Sequence, residues 1–129
     1  MIFIDASFII AMISEKDQWH SETIKILDEI SEEDLITSDL IITETMAIIG
    51  KLKGGKTSKT LYSFIKDNYT IYETNLKDLD RGMNTLIKYD GTLSLVDSIS
   101  INIINELKIN QIASFDSDFD KVETIHRLH

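Results

Sequence analysis

Residues 111–120 read QIASFDSDFD. The stretch Gln111-Ile112-Ala113-Ser114-Phe115 reads as a compact strand, and it runs straight into an acid, Asp116. The opening stretch, residues 1–7, MIFIDAS, repeats that pattern: Ile2-Phe3-Ile4 is uninterrupted and apolar, and Asp5 follows at once with Ala6-Ser7 beginning a helix. Ligands in an open α/β sheet bind outside the carboxyl ends of the strands. Two such ends here carry a carboxylate.

Between these strands the chain is predominantly helical. Trp19, Thr23, Ile26, Leu27 and Ile30 share one helical face, and the acidic stretch Ser31 to Asp34 closes that helix before a short strand, Leu35-Ile36-Thr37. Ser38 or Asp39 suits an N-cap for a helix carrying Ile41, Thr45, Ile48, Ile49 and Leu52, stopped by Gly54-Gly55. Thr57 or Ser58 is expected to cap the next, with Leu61, Phe64 and Ile65 on its apolar face. Tyr69 to Tyr72 reads as an edge strand, and Leu76, Leu79, Met83, Leu86 and Ile87 as the clearest amphipathic helix. After the Asp90-Gly91 turn, Ser94 caps a helix reaching about Leu107, and Val122 to Ile125 is expected to form a last strand. Strands alternating with helices, without a tight hairpin signal, predict a parallel sheet covered by helices.

The bulk properties narrow the chemistry. A length of 129 residues fits one domain with a single core, so no second domain is expected. Without cysteine there is neither a disulfide framework nor a thiolate metal site, and two of the three histidines lie in the last four residues. A metal here would be a hard, oxygen-bound ion such as Mg²⁺ or Mn²⁺. The formal charge of −9 argues against a protein that coats nucleic acid with broad basic surface. Asp5 interrupts the first apolar run too early for a signal-peptide core or a membrane span, so a cytoplasmic protein is expected.

Two more acids stand early in helices: Glu44 in ITETM and Asp97 in SLVDS. One acid near a helix start is ordinarily a cap or a dipole partner. Four gathered together behave differently, because carboxylates about 5 Å apart repel by roughly 3 kcal/mol per pair at an effective dielectric near 20. If the fold brings Asp5, Glu44, Asp97 and Asp116 together, a divalent cation is the natural neutraliser.

The order Asp5 with Ser7, then Glu44, then Asp97 in LVDSIS, then SFDSDFD near the C-terminus resembles the PIN-domain family, specifically its small VapC-like toxin ribonucleases, over nearly the whole chain. The resemblance implies a single Rossmann-like PIN domain over residues 1–129, an α/β/α sandwich with a central, mainly parallel sheet. It implies Mg²⁺- or Mn²⁺-dependent endoribonuclease activity, with Asp5, Glu44, Asp97 and Asp116 as the acidic quartet and Ser7 and Ser114 as supporting hydroxyls. Asp118 matches a less constant acidic position and is carried as a further metal ligand, whereas Asp120 is expected to be a solvated loop residue. A homodimer and a small VapB-like antitoxin, which holds the enzyme inactive, are the partners the family implies. Lys51, Lys53, Lys56 and Lys59 form the one dense basic stretch, which is either an RNA-backbone contact or a solvated helix junction.

Other readings compete. Gly50, Gly55, Lys56 and Thr57 satisfy the G-x-x-x-x-G-K-[ST] spacing of a phosphate-binding P-loop, but such a loop must leave a buried strand, and the preceding segment has helical spacing; a short strand over Met46 to Ile49 is the foothold left to it. Asp116, Asp118 and Asp120 imitate the start of a calcium loop, yet Lys121 and Arg127 occupy the positions that need Gly and Glu. A haloacid-type phosphatase needs more chain than the eleven residues after Asp118. His20 beside Trp19 reads as a capping or packing residue, and His126 and His129 as structural or exposed. A catalytically silent PIN-like module that binds RNA or protein is the remaining alternative, and all four acidic positions being filled tells against it.

Overall fold

The computed structural model describes all residues, 1–129. Five strands form one parallel sheet: β1 (Ile2–Ile4), β2 (Leu35–Ser38), β3 (Thr70–Tyr72), β4 (Gln111–Ala113) and β5 (His126–Leu128), in the spatial order β3-β2-β1-β4-β5. The helices are α1 (Ala6–Ile13), α2 (His20–Glu29), α3 (Asp39–Lys53), α4 (Gly55–Asn68), α5 (Leu76–Lys88) and α6 (Leu95–Glu106), with a 3₁₀ turn at Ser117–Lys121. The chain steps outward from β1 to β3 and then crosses back to β4, so the strand order reverses beside β1. The gap at that switch point, outside the carboxyl ends of β1 and β4, is where such sheets bind ligands.

The central strands are apolar on both faces, as a doubly covered parallel sheet requires: Ile2, Phe3, Ile4, Ile112 and Ala113 are all buried. Register is set by Phe3 opposite both Ile36 and Ile112, and the ladder continues past β1 where the Asp5 amide donates to the Ala113 carbonyl at 3.1 Å. The reading of β1, β2, β3 and the five longest helices holds, including the Ser38 and Ser94 caps, each of which accepts a backbone N–H three residues on.

Three local expectations are corrected. Residues 122–125 are a turn and the last strand is displaced to His126–Leu128, because Val122 and Ile125 serve the core as anchors of an irregular segment. α4 starts at Gly55 and is capped by the Gly54 backbone, so Thr57 and Ser58 lie inside it; the Ser58 hydroxyl donates to the Met46 carbonyl at 3.0 Å and pins α4 against α3. α5 turns its apolar stripe outward. Gly82 instead faces α6, where a Cβ would stand 2.5 Å from Cγ1 of Ile99, and Leu76, Leu79, Met83 and Ile87 are left exposed. The pattern identified the helix and misidentified its buried side, since close approach by the small residue outweighs the stripe.

The P-loop spacing is also resolved. Gly50 lies in the last turn of α3, Gly54 at φ +89° makes the corner, and Gly55, Lys56 and Thr57 open α4. No strand precedes the motif, so it is the bend of a helical hairpin and not a phosphate cradle.

Candidate functional site

Asp5, Glu44, Asp97 and Asp116 line one cleft of about 360 Å³ together with Ala6, Ser7, Ile10, Ile48 and Ser94. Each acid arrives on a different element. Asp5 is the residue between β1 and α1, Glu44 lies in the second turn of α3, Asp97 in the first turn of α6, and Asp116 directly follows the β4 exit. Acids separated by more than a hundred residues thus meet at the sheet's switch point.

The hydroxyls lock the deepest of them. Ser114 donates to Oδ2 of Asp5 at 2.7 Å and Ser7 donates to the same oxygen at 2.9 Å, while the Ser7 and Ser114 hydroxyls lie 3.2 Å apart. The Ser7 and Ser114 oxygens in turn accept the amides of Phe115 and Asp116, each at 3.0 Å. A network closed in this way leaves no orphan among its hydroxyls and fixes Asp5 in place. Asp97 forms a reciprocal capping box with Ser94, its Oδ2 accepting the Ser94 amide at 3.2 Å. Asp116 accepts the Asp118 amide through Oδ1 at 2.9 Å. Each aspartate therefore uses one oxygen for orientation, and the second remains available to a ligand. Glu44, at the open rim, makes no hydrogen bond.

The electrostatics agree with a site short of positive charge. Asp5 is only 6% exposed, and burial pushes its carboxyl above the usual range against the pull of the Ser114 and Ser7 hydroxyls, with the Asp116 charge adding to the rise. Asp97 is raised first by burial, with Ser94 opposing and Asp5 and Asp116 repelling. Glu44 is raised by partial burial of its carboxyl and then by the charges of Asp5 and Asp97.

No three acids or histidines stand close enough to grip an ion as they lie. A hydrated Mg²⁺, which keeps several waters and takes one or two carboxylates directly, needs no tighter grouping. With all-oxygen donors, one oxygen of each aspartate unused and no basic side chain lining the cleft, the residues fit a hydrated divalent ion.

The remaining candidates separate. Asp118 does not line the cleft; its Oδ1 is held by Nζ of Lys121 at 2.9 Å, because the 3₁₀ turn places the two residues side by side. Asp120 is not a merely solvated acid, since Arg127 grips it through Nε and Nη2, both at 2.9 Å. Arg127 holds the Asp120 carboxyl below its usual range, and its Nη1 donates to the Ser114 carbonyl at 3.2 Å, so it braces the strand end that carries the network. Composition gave no signal for that brace beyond a lone arginine on the last strand. None of Lys51, Lys53, Lys56 and Lys59 lines the acidic cleft; all flank the corner between α3 and α4. Lys51 is on the α3 face of Glu44 and Ile48, about 10 Å further along the axis. Lys56 lines a separate apolar groove and Lys59 a third hollow between α3 and α4.

Comparison with known proteins bears on the fold and the lineage. The PIN-domain family model matches residues 2–125. No curated protein sequence matches the chain at a significant level. Among solved structures, the fold is similar to Mycobacterium tuberculosis VapC20, a Sarcin-Ricin loop cleaving toxin, with a TM-score of 0.85, 20% identity and 95% of both chains covered. It is also similar to a toxin-antitoxin complex from Klebsiella pneumoniae (TM-score 0.76, 15% identity, 100% of this chain and 98% of the other). VapBC2 from Rickettsia felis, bound to a promoter DNA fragment, matches at a TM-score of 0.73 and 10% identity over 98% and 97% of the two chains. At these identities the neighbours establish the fold, and the family model, spanning almost the whole sequence, establishes the lineage: this chain belongs to the PIN-domain family.

Proposed function

We propose that the protein is a metal-dependent endoribonuclease of the VapC kind that hydrolyses RNA phosphodiester bonds and is held in check by a cognate antitoxin. The observation that carries this reading is the gathering of Asp5, Glu44, Asp97 and Asp116 on one cleft with no basic side chain to balance them. A Mg²⁺ or Mn²⁺ ion bound there supplies an activated water and neutralises charge on the phosphate. The protein's part is positioning. Asp5, fixed by Ser7 and Ser114, would be the rigid ligand; Asp97 and Asp116 would offer their second oxygens; Glu44, unbonded at the rim, would accept a proton from the attacking water or orient it. Lys51, outside the acidic mouth, suits a phosphate of the RNA backbone.

Partner surfaces support the family reading. Met12, Ile13, Leu61 and Phe64 line a largely apolar groove of about 510 Å³ between α1 and α4, which suits an antitoxin segment. The outward stripe of α5 suits a homodimer contact. No helix is long and apolar enough to cross a membrane, in keeping with a cytoplasmic setting for RNA cleavage.

The test is incubation of purified protein with total RNA, with and without Mn²⁺, followed by mapping of new 5′ ends. Discrete new ends with 5′-phosphates that require Mn²⁺ and disappear in Asp97→Asn support the proposal. Intact RNA together with strong thermal stabilisation by Mn²⁺ would instead mark a silent metal-binding module.

A further inference from the structure

Phe115 sits between Ser114 and Asp116, and its amide is held by Ser7, so its backbone belongs to the acidic site. Its ring stacks on Phe8 with centroids 5.8 Å apart and planes 11° apart. The Trp19 indole stacks on Phe115 in turn, at 5.2 Å and 3°. Phe8 is fully buried, Phe115 half-buried, and Trp19 is 40% exposed. The three rings form a column that rises from the core on the side of α1 away from the cleft-lining Ala6, Ser7 and Ile10, is tied to the site through the Phe115 backbone, and ends on an indole at the surface.

The backbone that carries the indole is held on both sides, and the stack on Phe115 orients the ring. The Trp19 amide donates to Oδ1 of Asp17 at 2.9 Å, its carbonyl accepts the Thr23 hydroxyl at 3.0 Å, and the neighbouring His20 ring bonds the Ala11 carbonyl at 2.7 Å. Packing alone does not call for a large ring here, because Phe8 and Phe115 already stack on each other and the outer part of the indole faces water. A flat, partly exposed aromatic ring stacked on the residue between Ser114 and Asp116 is within a few nucleotides' reach of the cleft and is what an unpaired nucleobase stacks upon, and such stacking tolerates any base. The indole is also outside the apolar groove between α1 and α4 that suits a protein segment.

We infer that Trp19 is a stacking platform for an unpaired base of the RNA substrate, setting which nucleotides flank the scissile phosphate. This rests on the ribonuclease reading for its biological meaning but is measured independently of cleavage. Trp19 is the single tryptophan, so intrinsic fluorescence reports on it alone. The Asp97→Asn protein, loaded with Mn²⁺, is titrated with a single-stranded 12-mer oligoribonucleotide and with the same sequence as a duplex. Quenching by the single strand, much weaker with the duplex, is expected. Labelled-oligonucleotide anisotropy should show Trp19→Ala binding about tenfold more weakly, the loss of one stacked base. Trp19→Phe, which keeps a ring, should bind within about threefold of the parent. In the cleaving protein Trp19→Ala should raise KM and leave kcat nearly unchanged.

The outcomes separate the two readings. Metal-dependent cleavage without quenching, and with Trp19→Ala unchanged in KM, overturns the platform, leaves the nuclease standing and assigns the indole to a protein contact. Quenching and a Trp19-dependent affinity in a protein that cuts no RNA uphold the platform and remove the nuclease. Melting curves identify any Trp19→Ala defect that is merely unfolding; in that event the Trp19→Phe protein and the quenching titration decide alone.

Discussion

Replacing Asp97 by Asn should stabilise the protein in the absence of metal while abolishing cleavage. A cleft of about 360 Å³ has a span near 9 Å, and two unit charges at that separation repel by about 2 kcal/mol at an effective dielectric of 20. Asp97 faces three other carboxylates, but it is partly open to solvent, and screening reduces the sum to about 1–2 kcal/mol. Two terms act the other way. The Ser94 amide still finds an acceptor in the Asn side-chain oxygen, so the capping box costs little, and the lost interaction of a negative charge with the α6 N-terminus costs about 0.5 kcal/mol. The net gain of about 1 kcal/mol raises Tm by roughly 3–5 °C for a domain of this size. Calorimetry in EDTA measures it, and the same preparation, given RNA and Mn²⁺, measures activity. A fall of several degrees in EDTA would mean that Asp97 is a helix cap and little else. Cleavage at the normal rate would remove it from the site altogether.

Other substitutions probe different parts of the structure. Ser114→Ala leaves one Asp5 oxygen short of its nearest donor and the Asp116 amide without an acceptor in a fully buried spot; a loss of about 1–3 kcal/mol is expected in a denaturant melt, with cleavage reduced tenfold or more. Gly82→Ala drives a methyl into Ile99 and Leu95 and should destabilise by about 1–3 kcal/mol, whereas Gly50→Ala, with nothing within 4 Å, should be neutral or stabilising. Met83→Asp on the exposed α5 stripe should convert a dimer to a monomer in sedimentation without lowering Tm, and an unchanged mass would remove that face from the assembly. Because Asp5, Glu44 and Asp97 have raised values in the fold, the native state binds protons more tightly than the unfolded chain, and their contribution to stability declines as pH rises through those values. The advantage of Asp97→Asn in EDTA should therefore vanish near pH 4 and grow toward pH 7, and Mn²⁺ stabilisation should shrink on acidification as protons displace the ion.

Much of this was legible in the sequence where one local rule decided the outcome. Strands β1 and β4 were visible because fully buried parallel strands read as unbroken apolar runs, and Ser38 and Ser94 because capping is settled within four residues. The acidic cleft was expected from the resemblance and from the strand-end acids; the coordinates bring Asp5, Glu44, Asp97 and Asp116 to it and leave Asp118 with Lys121. What could not be read depended on distant partners. The exposed side of α5 is chosen by Gly82 meeting Ile99, and the Arg127 clamp joins Asp120 to the Ser114 carbonyl through geometry that no spacing encodes. The ring column is equally nonlocal, since Phe8, Trp19 and Phe115 become neighbours only when β4 lies beside β1.

That last pairing has a consequence for the timing of synthesis. β4 enters the sheet at its middle, beside a strand made more than a hundred residues earlier, and it brings Ser114 and Asp116 with it. Until Asp116 has emerged, β1 presents an open flank and Asp5 lacks the hydroxyl that orients it most closely. On the ribonuclease reading, a growing chain is kept from cutting RNA by its own topology, since the acidic arrangement can exist only once β4 has been made.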